Sequence, residues 1–392
     1  MQTSLCSNKI QPSTTLAIAA KANAMRQEGI NVINFSAGEP DFNTPNNIVN
    51  AAIKAAQNGM TRYTPAAGTV ALRESIVNRI YTDLNIQYKP EEIIVSSGAK
   101  QSIAFALQAV LNPKDEVLIP APYWLSYPAM VDVLDCTAKI IQTTAADNWK
   151  IHPASLKAAI TDKTKVLFLN SPSNPTGASY SKDELKAIGE VLKQHPQIII
   201  ISDDIYEKIY WGNEPFNNII TACPELKDRC ILVNGTSKAY AMTGWRIGYA
   251  AGNINIIKAM SKLQSHLSGC ACSVSQAAAQ EAFSCDQSFL KENAQVFANR
   301  YTTTFNFINN IDNLSCQPSS GAFYALIDAS KIMSAKNIAT DLDLAQELLE
   351  HSHIALVPGS VFGIDNHLRL SFALDDKSLL TGLERLQAYC KK

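Results

Sequence analysis

Four consecutive isoleucines, residues 198–201, run directly into Ser202-Asp203-Asp204 and constrain the fold of this chain more than any other feature. An unbroken apolar run has no polar side to turn toward water. As a strand it must be covered on both faces, the situation of a parallel sheet packed between helices. The surrounding segments supply that context. Residues 92–95, 117–119, 139–142, 166–169, 230–233 and 246–250 read as further short strands, and residues 100–111 as a helix. Ser181-Lys182-Asp183-Glu184 is a capping box that opens a helix running to about residue 194. This alternation predicts an α/β domain with a mostly parallel sheet over residues 46–290. Beyond it, residues 289–311 read as one long helix. Strands at 322–327 and 367–371 with helices at 343–350 and 377–389 predict a smaller α+β domain over 291–392. Residues 1–45 form an N-terminal arm and part of that smaller domain.

The composition sets limits on function. With 392 residues, 46% of them apolar, the chain has material for two cores rather than one. A formal net charge of -1 gives no overall field that would draw it to nucleic acid or to an anionic membrane, so neither is expected as a partner. The nine cysteines are odd in number and lack disulfide-like spacing, which suits buried reduced thiols in a cytoplasmic protein. Cys270-Ala271-Cys272 has no second pair to complete a zinc site and reads as packing, and His351 and His353 read as exposed or core residues rather than ligands. No apolar run approaches the roughly 18 residues of a membrane span. Residues 16–20 faintly imitate a signal peptide, but Lys21 interrupts them, and an amphipathic helix opened by Ser13 or Thr14 accounts for them better.

In open parallel sheets ligands bind beyond the carboxyl ends of the strands. The unusual polar residues of this chain fall at those ends: Gly98-Ala99-Lys100, Asn170 with Asn174, Asp203-Asp204, and Ser237-Lys238. Small residues where a strand turns into a helix, as at Gly98 and Ala99, let backbone N–H groups cup an anion. Lys238 and Arg246 stand eight residues apart in Ser237-Lys238-Ala239-Tyr240-Ala241-Met242-Thr243-Gly244-Trp245-Arg246. The lysine can form a Schiff base with an aldehyde while the arginine grips that molecule's phosphate; pyridoxal 5'-phosphate carries both groups. Arg246 reads equally as a surface ion pair. Asp203 can face a pyridine nitrogen and hold its proton, or cap a turn. Tyr206, three residues on, and Asn174, fixed between Pro172 and Pro175, can donate to the phenolic oxygen of such a ring; Asn174 can also be a plain turn residue. Trp124 can stack on a flat ring or sit in the core. Arg369, inside an apolar strand, needs an anion, supplied by a substrate carboxylate or by an internal Asp or Glu.

Together these motifs resemble the class I pyridoxal-phosphate aminotransferases of fold type I, in the bacterial aspartate and aspartate/prephenate branch. The resemblance runs through Ser36-Ala37-Gly38-Glu39-Pro40-Asp41-Phe42, Tyr63-Thr64-Pro65-Ala66-Ala67-Gly68, residues 170–177, residues 202–206, the lysine segment, Pro318-Ser319-Ser320-Gly321-Ala322-Phe323-Tyr324 and residues 369–372. It implies a large domain with a mostly parallel, seven-stranded-type sheet covered by helices, plus a smaller α+β domain. It implies Lys238 as the Schiff-base lysine and proton shuttle, Asp203 as partner of the ring nitrogen, Tyr206 and Asn174 as partners of the phenolic oxygen, and Trp124 as the stacking ring. Gly98, Ala99, Lys100, Ser237 and Arg246 would surround the phosphate. Arg369 would hold the substrate α-carboxylate beside the Gly38 backbone. Tyr63 would reach the phosphate of a neighbouring subunit, so a homodimer with shared sites is expected. In this branch a lysine at the position of Lys100, helped by a hydroxyl near Thr15, meets the distal carboxylate of aspartate, although Lys100 also reads as a solvated first-turn residue.

The sequence departs from the pattern at three places. Ala99 replaces a frequent glycine and is tolerable if its φ is negative. Asp204 stands where Glu is usual. Gly235 lies where many relatives carry a phosphate-binding serine, which Ser237 or Thr236 would have to replace. The reaction implied is ping-pong transamination of L-aspartate and 2-oxoglutarate. The rivals are an aminotransferase for prephenate, aromatic amino acids, alanine or kynurenine, a carbon–sulfur lyase on the same scaffold, and a noncatalytic regulator, which would need an added DNA-binding segment.

Overall fold

The computed structural model describes residues 2–10 and 12–391. Its strands in chain order are β1 (Ile33–Asn34), β2 (Ile93–Ser96), β3 (Glu116–Ala121), β4 (Thr137–Gln142), β5 (Thr164–Asn170), β6 (Ile199–Asp203), β7 (Cys230–Gly235), β8 (Gly248–Ala251), β9 (Ser315–Cys316), β10 (Tyr324–Asp328), β11 (Ile354–Ala355), β12 (Val357–Pro358) and β13 (His367–Ser371). Seven of them form one sheet in the order β2-β8-β7-β6-β5-β3-β4. The neighbours from β7 to β4 are parallel, and only β8 runs against both of its partners. The mostly parallel sheet predicted from the isoleucine run is therefore present.

The reason that run must be apolar throughout is visible in the packing. Successive side chains of a strand point to opposite faces. Leu167, Leu169, Ile200 and Leu232 belong to one buried cluster, while Val166, Phe168, Ile201, Ile231 and Val233 belong to another on the opposite face. Helices Asn46–Gln57, Val70–Leu84, Lys182–Lys193 and Ser273–Ser284 contribute to the first cluster, and helices Ala99–Val110 and Ile254–Leu267 to the second. Ile200 is fully buried, so Ile200→Ala would cost about 2–5 kcal/mol through lost transfer energy and the cavity left behind.

The C-terminal half builds an antiparallel sheet, β12-β13-β10-β9, over a third cluster that includes Phe297, Phe323, Leu348 and Leu370. The long helix Ser288–Asn309 packs on it, and β1 pairs in parallel with β11, tying the N-terminal segment to this region. Ser13 caps helix Thr14–Gln27 by accepting from the Leu16 N–H, and Ser181 caps Lys182–Lys193 in the expected capping box. Two expectations need correction. The eighth strand starts at Gly248 rather than 246, because Arg246 adopts a left-handed conformation (φ 57) that no strand allows. Cys272 is exposed at the start of helix Ser273–Ser284 instead of packed inside. The eight described cysteines are all free thiols. Among the described residues no helix is long and apolar enough to cross a membrane.

Candidate active site

The carboxyl ends of β3, β5, β6 and β7 open into one cleft of about 890 Å³, whose far wall is made by the N-terminal helix, the 36–39 loop and the start of helix Asp376–Lys391. Thr15, Gly38, Ala99, Lys100, Trp124, Asn174, Asp203, Tyr206, Ser237, Lys238, Arg246 and Arg369 all line it. Residues more than 300 positions apart in sequence thus converge, as the strand-end argument requires. Gly98 backs the same wall: a Cβ there would collide with the Arg246 guanidinium, and its φ of 90° suits glycine. Tyr63 is the exception. It is 96% exposed and takes no part in the walls of its own chain's cleft.

The floor is a hydrogen-bonded scaffold. Asn170, the last residue of β5, donates from Nδ2 to the Asp203 backbone carbonyl (2.8 Å) and accepts from the Asn174 N–H (3.0 Å). The Asp203 carboxylate accepts from the Tyr127 hydroxyl at 2.6 Å and from the Ile205 N–H at 3.3 Å. Burial pushes the Asp203 carboxyl up to about 6, against the pull of those two donors and of Lys238. The Tyr206 hydroxyl lies 3.0 Å from that of Tyr324. The Lys238 amine donates to the Gly38 carbonyl. Burial first, and then Arg369, bring the Lys238 amine down to about 8, so about a tenth of it is free base at pH 7.

Arg369 settles one of the alternatives left by the sequence. It is only 2% exposed, yet its partners are neutral: Nη1 donates to Asn174 Oδ1 (3.1 Å) and Nη2 to the Ser36 carbonyl (3.0 Å). Its guanidinium carbon lies 4.4 Å from the Tyr324 ring centroid and 5.0 Å from that of Phe362, and its Nε–H has no partner. No internal carboxylate compensates this charge among the described residues. Arg246 likewise donates to backbone carbonyls, of Thr243 (2.7 Å) and Ser97 (3.4 Å), and not to an acid. It stands beside the uncapped N-terminus of helix Ala99–Val110 and lines the same cleft as Ser237, a combination suited to a phosphate-sized anion. A second unpartnered polar atom, Thr15 Oγ1, belongs to a residue that lines the cleft, as does Lys100, whose ammonium lies 4.8 Å from the centre of the Trp124 ring. Burial, then Arg246, lowers the Lys100 pKa.

The three sequence departures find physical answers. Ala99 is the first helical residue and lacks a positive φ. At Gly235 a Cβ would fall 2.8 Å from both Gly248 Cα and the Ile247 carbonyl, so the closeness of β7 and β8 excludes a serine. Of the two candidate hydroxyls, Ser237 lines the cleft, whereas Thr236 is fully buried with Oγ1 3.4 Å from the Ile247 carbonyl. Asp204 points away from the cleft and accepts from Ser202 Oγ and Asn218 Nδ2, both at 2.7 Å. Tyr127 and Tyr324 are cleft residues that strand-end reasoning did not single out. Tyr127 lies three residues after Trp124, just inside helix Ser126–Asp132, a closeness in sequence that could have flagged it.

With this geometry established, comparison with known proteins identifies the class. Residues 30–386 match the family described as Aminotransferase class I and II, and the chain belongs to that family. It is 43% identical over 383 residues to an aspartate/prephenate aminotransferase of Nitrosomonas europaea, with 96% of each chain covered. Among solved structures it resembles the aspartate aminotransferase of Rhizobium meliloti, with a TM-score of 0.96 at 41% identity over 100% of this chain and 99% of the other. It also resembles the aspartate aminotransferase of Thermus thermophilus solved with maleate, with a TM-score of 0.93 at 35% identity over 99% of each chain. The protein is accordingly an aminotransferase.

Proposed function

We propose that this aminotransferase uses pyridoxal 5'-phosphate to move the amino group of L-aspartate to 2-oxoglutarate, giving oxaloacetate and L-glutamate in two half-reactions. The observation that carries this reading is Arg369, a buried cation without an acid partner and with a free Nε–H, in the same cleft as a partly neutral Lys238. When bound, the coenzyme supplies an aldehyde that links to amines and a cationic ring that withdraws electrons from the neighbouring carbon. Gly98, Ala99 and Lys100 backbone groups, Ser237 and Arg246 would hold its phosphate. Trp124 would cover the ring face, Asp203 would keep a proton on the ring nitrogen, and Tyr206 and Asn174 would hydrogen-bond the phenolic oxygen. Arg369, with the Gly38 backbone, fixes the substrate α-carboxylate so that the Cα proton faces the Lys238 amine. As a free amine, Lys238 would take that proton and serve as the acid that gives it back. Lys100 and the unpartnered Thr15 hydroxyl receive the distal carboxylate; the maleate of the Thermus relative is likewise a compact dicarboxylate.

The exposed Tyr63 supports a homodimer in which it reaches the phosphate in the partner's cleft. We divide the chain into an N-terminal arm (1–45), a large coenzyme-binding domain (46–290) and a small domain (291–392), in keeping with the separate sheets and cores. The free thiols accord with a cytoplasmic location.

Lys238→Ala should abolish turnover with L-aspartate while noncovalent coenzyme binding persists; undiminished turnover would remove Lys238 from the mechanism. In the parent protein, only unprotonated Lys238 can attack the aldehyde. Covalent coenzyme uptake, followed by visible absorbance, should therefore slow about ten-fold per pH unit below the Lys238 pKa of about 8.

A further inference from the structure

Asp203 has one side-chain hydrogen-bond donor among the described residues, the buried hydroxyl of Tyr127 at 2.6 Å. Tyr127 lies in the first turn of helix Ser126–Asp132. Its ring is stacked on Phe168 of β5 (centroids 4.2 Å apart, 17° between planes), and Trp124 meets it edge to face at 5.3 Å and 89°. Because β5 and β6 pair in register, with Phe168 opposite Ile201 and Asn170 opposite Asp203, the stack on Phe168 sets the height of the Tyr127 hydroxyl relative to the end of β6. One residue therefore touches both the carboxylate at the bottom of the cleft and the indole that lines its side.

We propose that Tyr127 is a positioning residue that fixes the Asp203 carboxylate and the Trp124 ring together for the coenzyme. The proposal rests on the coenzyme reading above. The other groups facing Asp203 are weaker or differently placed. Ile205 N–H lies at 3.3 Å, Lys238 acts through its charge, Asn170 binds the Asp203 backbone rather than its carboxylate, and Asp204 and Tyr206 lie on the same segment. Burial favours the neutral acid at Asp203, and the Tyr127 hydrogen bond is the largest influence opposing it. The Tyr127 phenol is itself held far above its ordinary pKa, by burial and then by Asp203. It therefore stays a donor, and Asp203 stays the acceptor, a fixed polarity that keeps the carboxylate ionised where a protonated ring nitrogen needs it.

Tyr127→Phe keeps the stack and the edge contact and deletes the donor. Equilibrium dialysis of pyridoxal 5'-phosphate against parent and variant from pH 5 to pH 9 should show binding weakened about ten-fold near pH 7. The loss of affinity on the acid side should move up by about one pH unit, because Asp203 then protonates more easily. In an Asp203→Asn background, Tyr127→Phe should leave the pH profile unmoved. Should Tyr127→Phe fail to fold, 3-fluorotyrosine placed at 127, a stronger donor of similar size, should move the acid-side loss downward. A profile that superimposes on the parent's, or a loss equal at every pH, would overturn the proposal and leave Tyr127 a packing residue. A parent protein that binds no coenzyme at any pH would instead overturn the coenzyme reading, and this inference with it, so the two failures are distinct.

Discussion

Two buried arginines meet the cost of burying a guanidinium in opposite ways. Arg300, on the long helix, is enclosed by carboxylates: Nη1 and Nη2 form a bidentate pair with Asp41 at 2.8 and 3.0 Å, and Nε donates to Asp376 at 2.9 Å. Arg369, on β13, has two neutral oxygens, two aromatic rings and an unpartnered N–H. Burial drags the Arg369 guanidinium below its ordinary pKa, whereas at Arg300 burial also lowers it but Asp41 and Asp376 together outweigh that and raise it. The charge of Arg300 is neutralised inside the protein and serves stability. It ties the 36–42 loop to two helices, next to Phe42, whose ring is 5.7 Å from its guanidinium carbon. The charge of Arg369 meets no carboxylate among the described residues, and under the proposed function a substrate carboxylate would supply one. Buried ion pairs are expensive to break on one side, and buried lone charges are expensive to keep, so the second arrangement persists where a ligand completes it.

Exchanging each arginine for methionine separates the two roles. Arg369→Met should lower kcat/KM for L-aspartate by about 10²–10³-fold, the effect of truncating one partner of a desolvated charge pair. Its thermal midpoint should stay level or rise, because an uncompensated buried charge is gone. Arg300→Met should do the reverse. It should destabilise the fold by about 2–4 kcal/mol in denaturant titrations, at the lower end for a buried pair because Asp376 is exposed and can rehydrate. Well below its midpoint, its kcat/KM should change little. Equal losses of activity in the two variants would erase the distinction. Lys100→Ala sharpens it further, by asking whether the ligand brings a second carboxylate. Activity with L-aspartate should fall about ten-fold or more beyond any loss with an apolar amino acid, since only the dicarboxylate uses that contact. Matched losses would confine Lys100 to the phosphate end of the cleft.

Much of this was legible because parallel-sheet physics leaves marks on sequence. The isoleucine run could be satisfied only between two helical layers, and polar residues just beyond such runs had to meet at one edge, which placed Asn170, Asn174, Asp203 and Lys238 without any knowledge of the fold's details. Capping chemistry fixed the starts at Ser13 and Ser181, because a side-chain acceptor and a local N–H are enough to define them. What stayed hidden depends on distant partners. Whether Arg369 faced an internal acid or a ligand could not be read from β13, because its neighbours Ser36 and Asn174 come from the N-terminal loop and from the end of β5. The left-handed backbone at Arg246, whose guanidinium packs against Gly98, is announced by no local propensity. Tyr127 carries no sequence signal of its own because its ring packs in the core and only its hydroxyl reaches Asp203.

The most direct test of the account is a titration of the coenzyme-loaded protein with L-aspartate, followed by visible absorbance, in the parent, Arg369→Met and Arg300→Met. The midpoint should move by about a hundred-fold or more for Arg369→Met and by no more than about three-fold for Arg300→Met. An Arg369→Met protein that titrates with the parent's midpoint would show that its buried charge is not kept for the substrate, and would contradict the account at its centre.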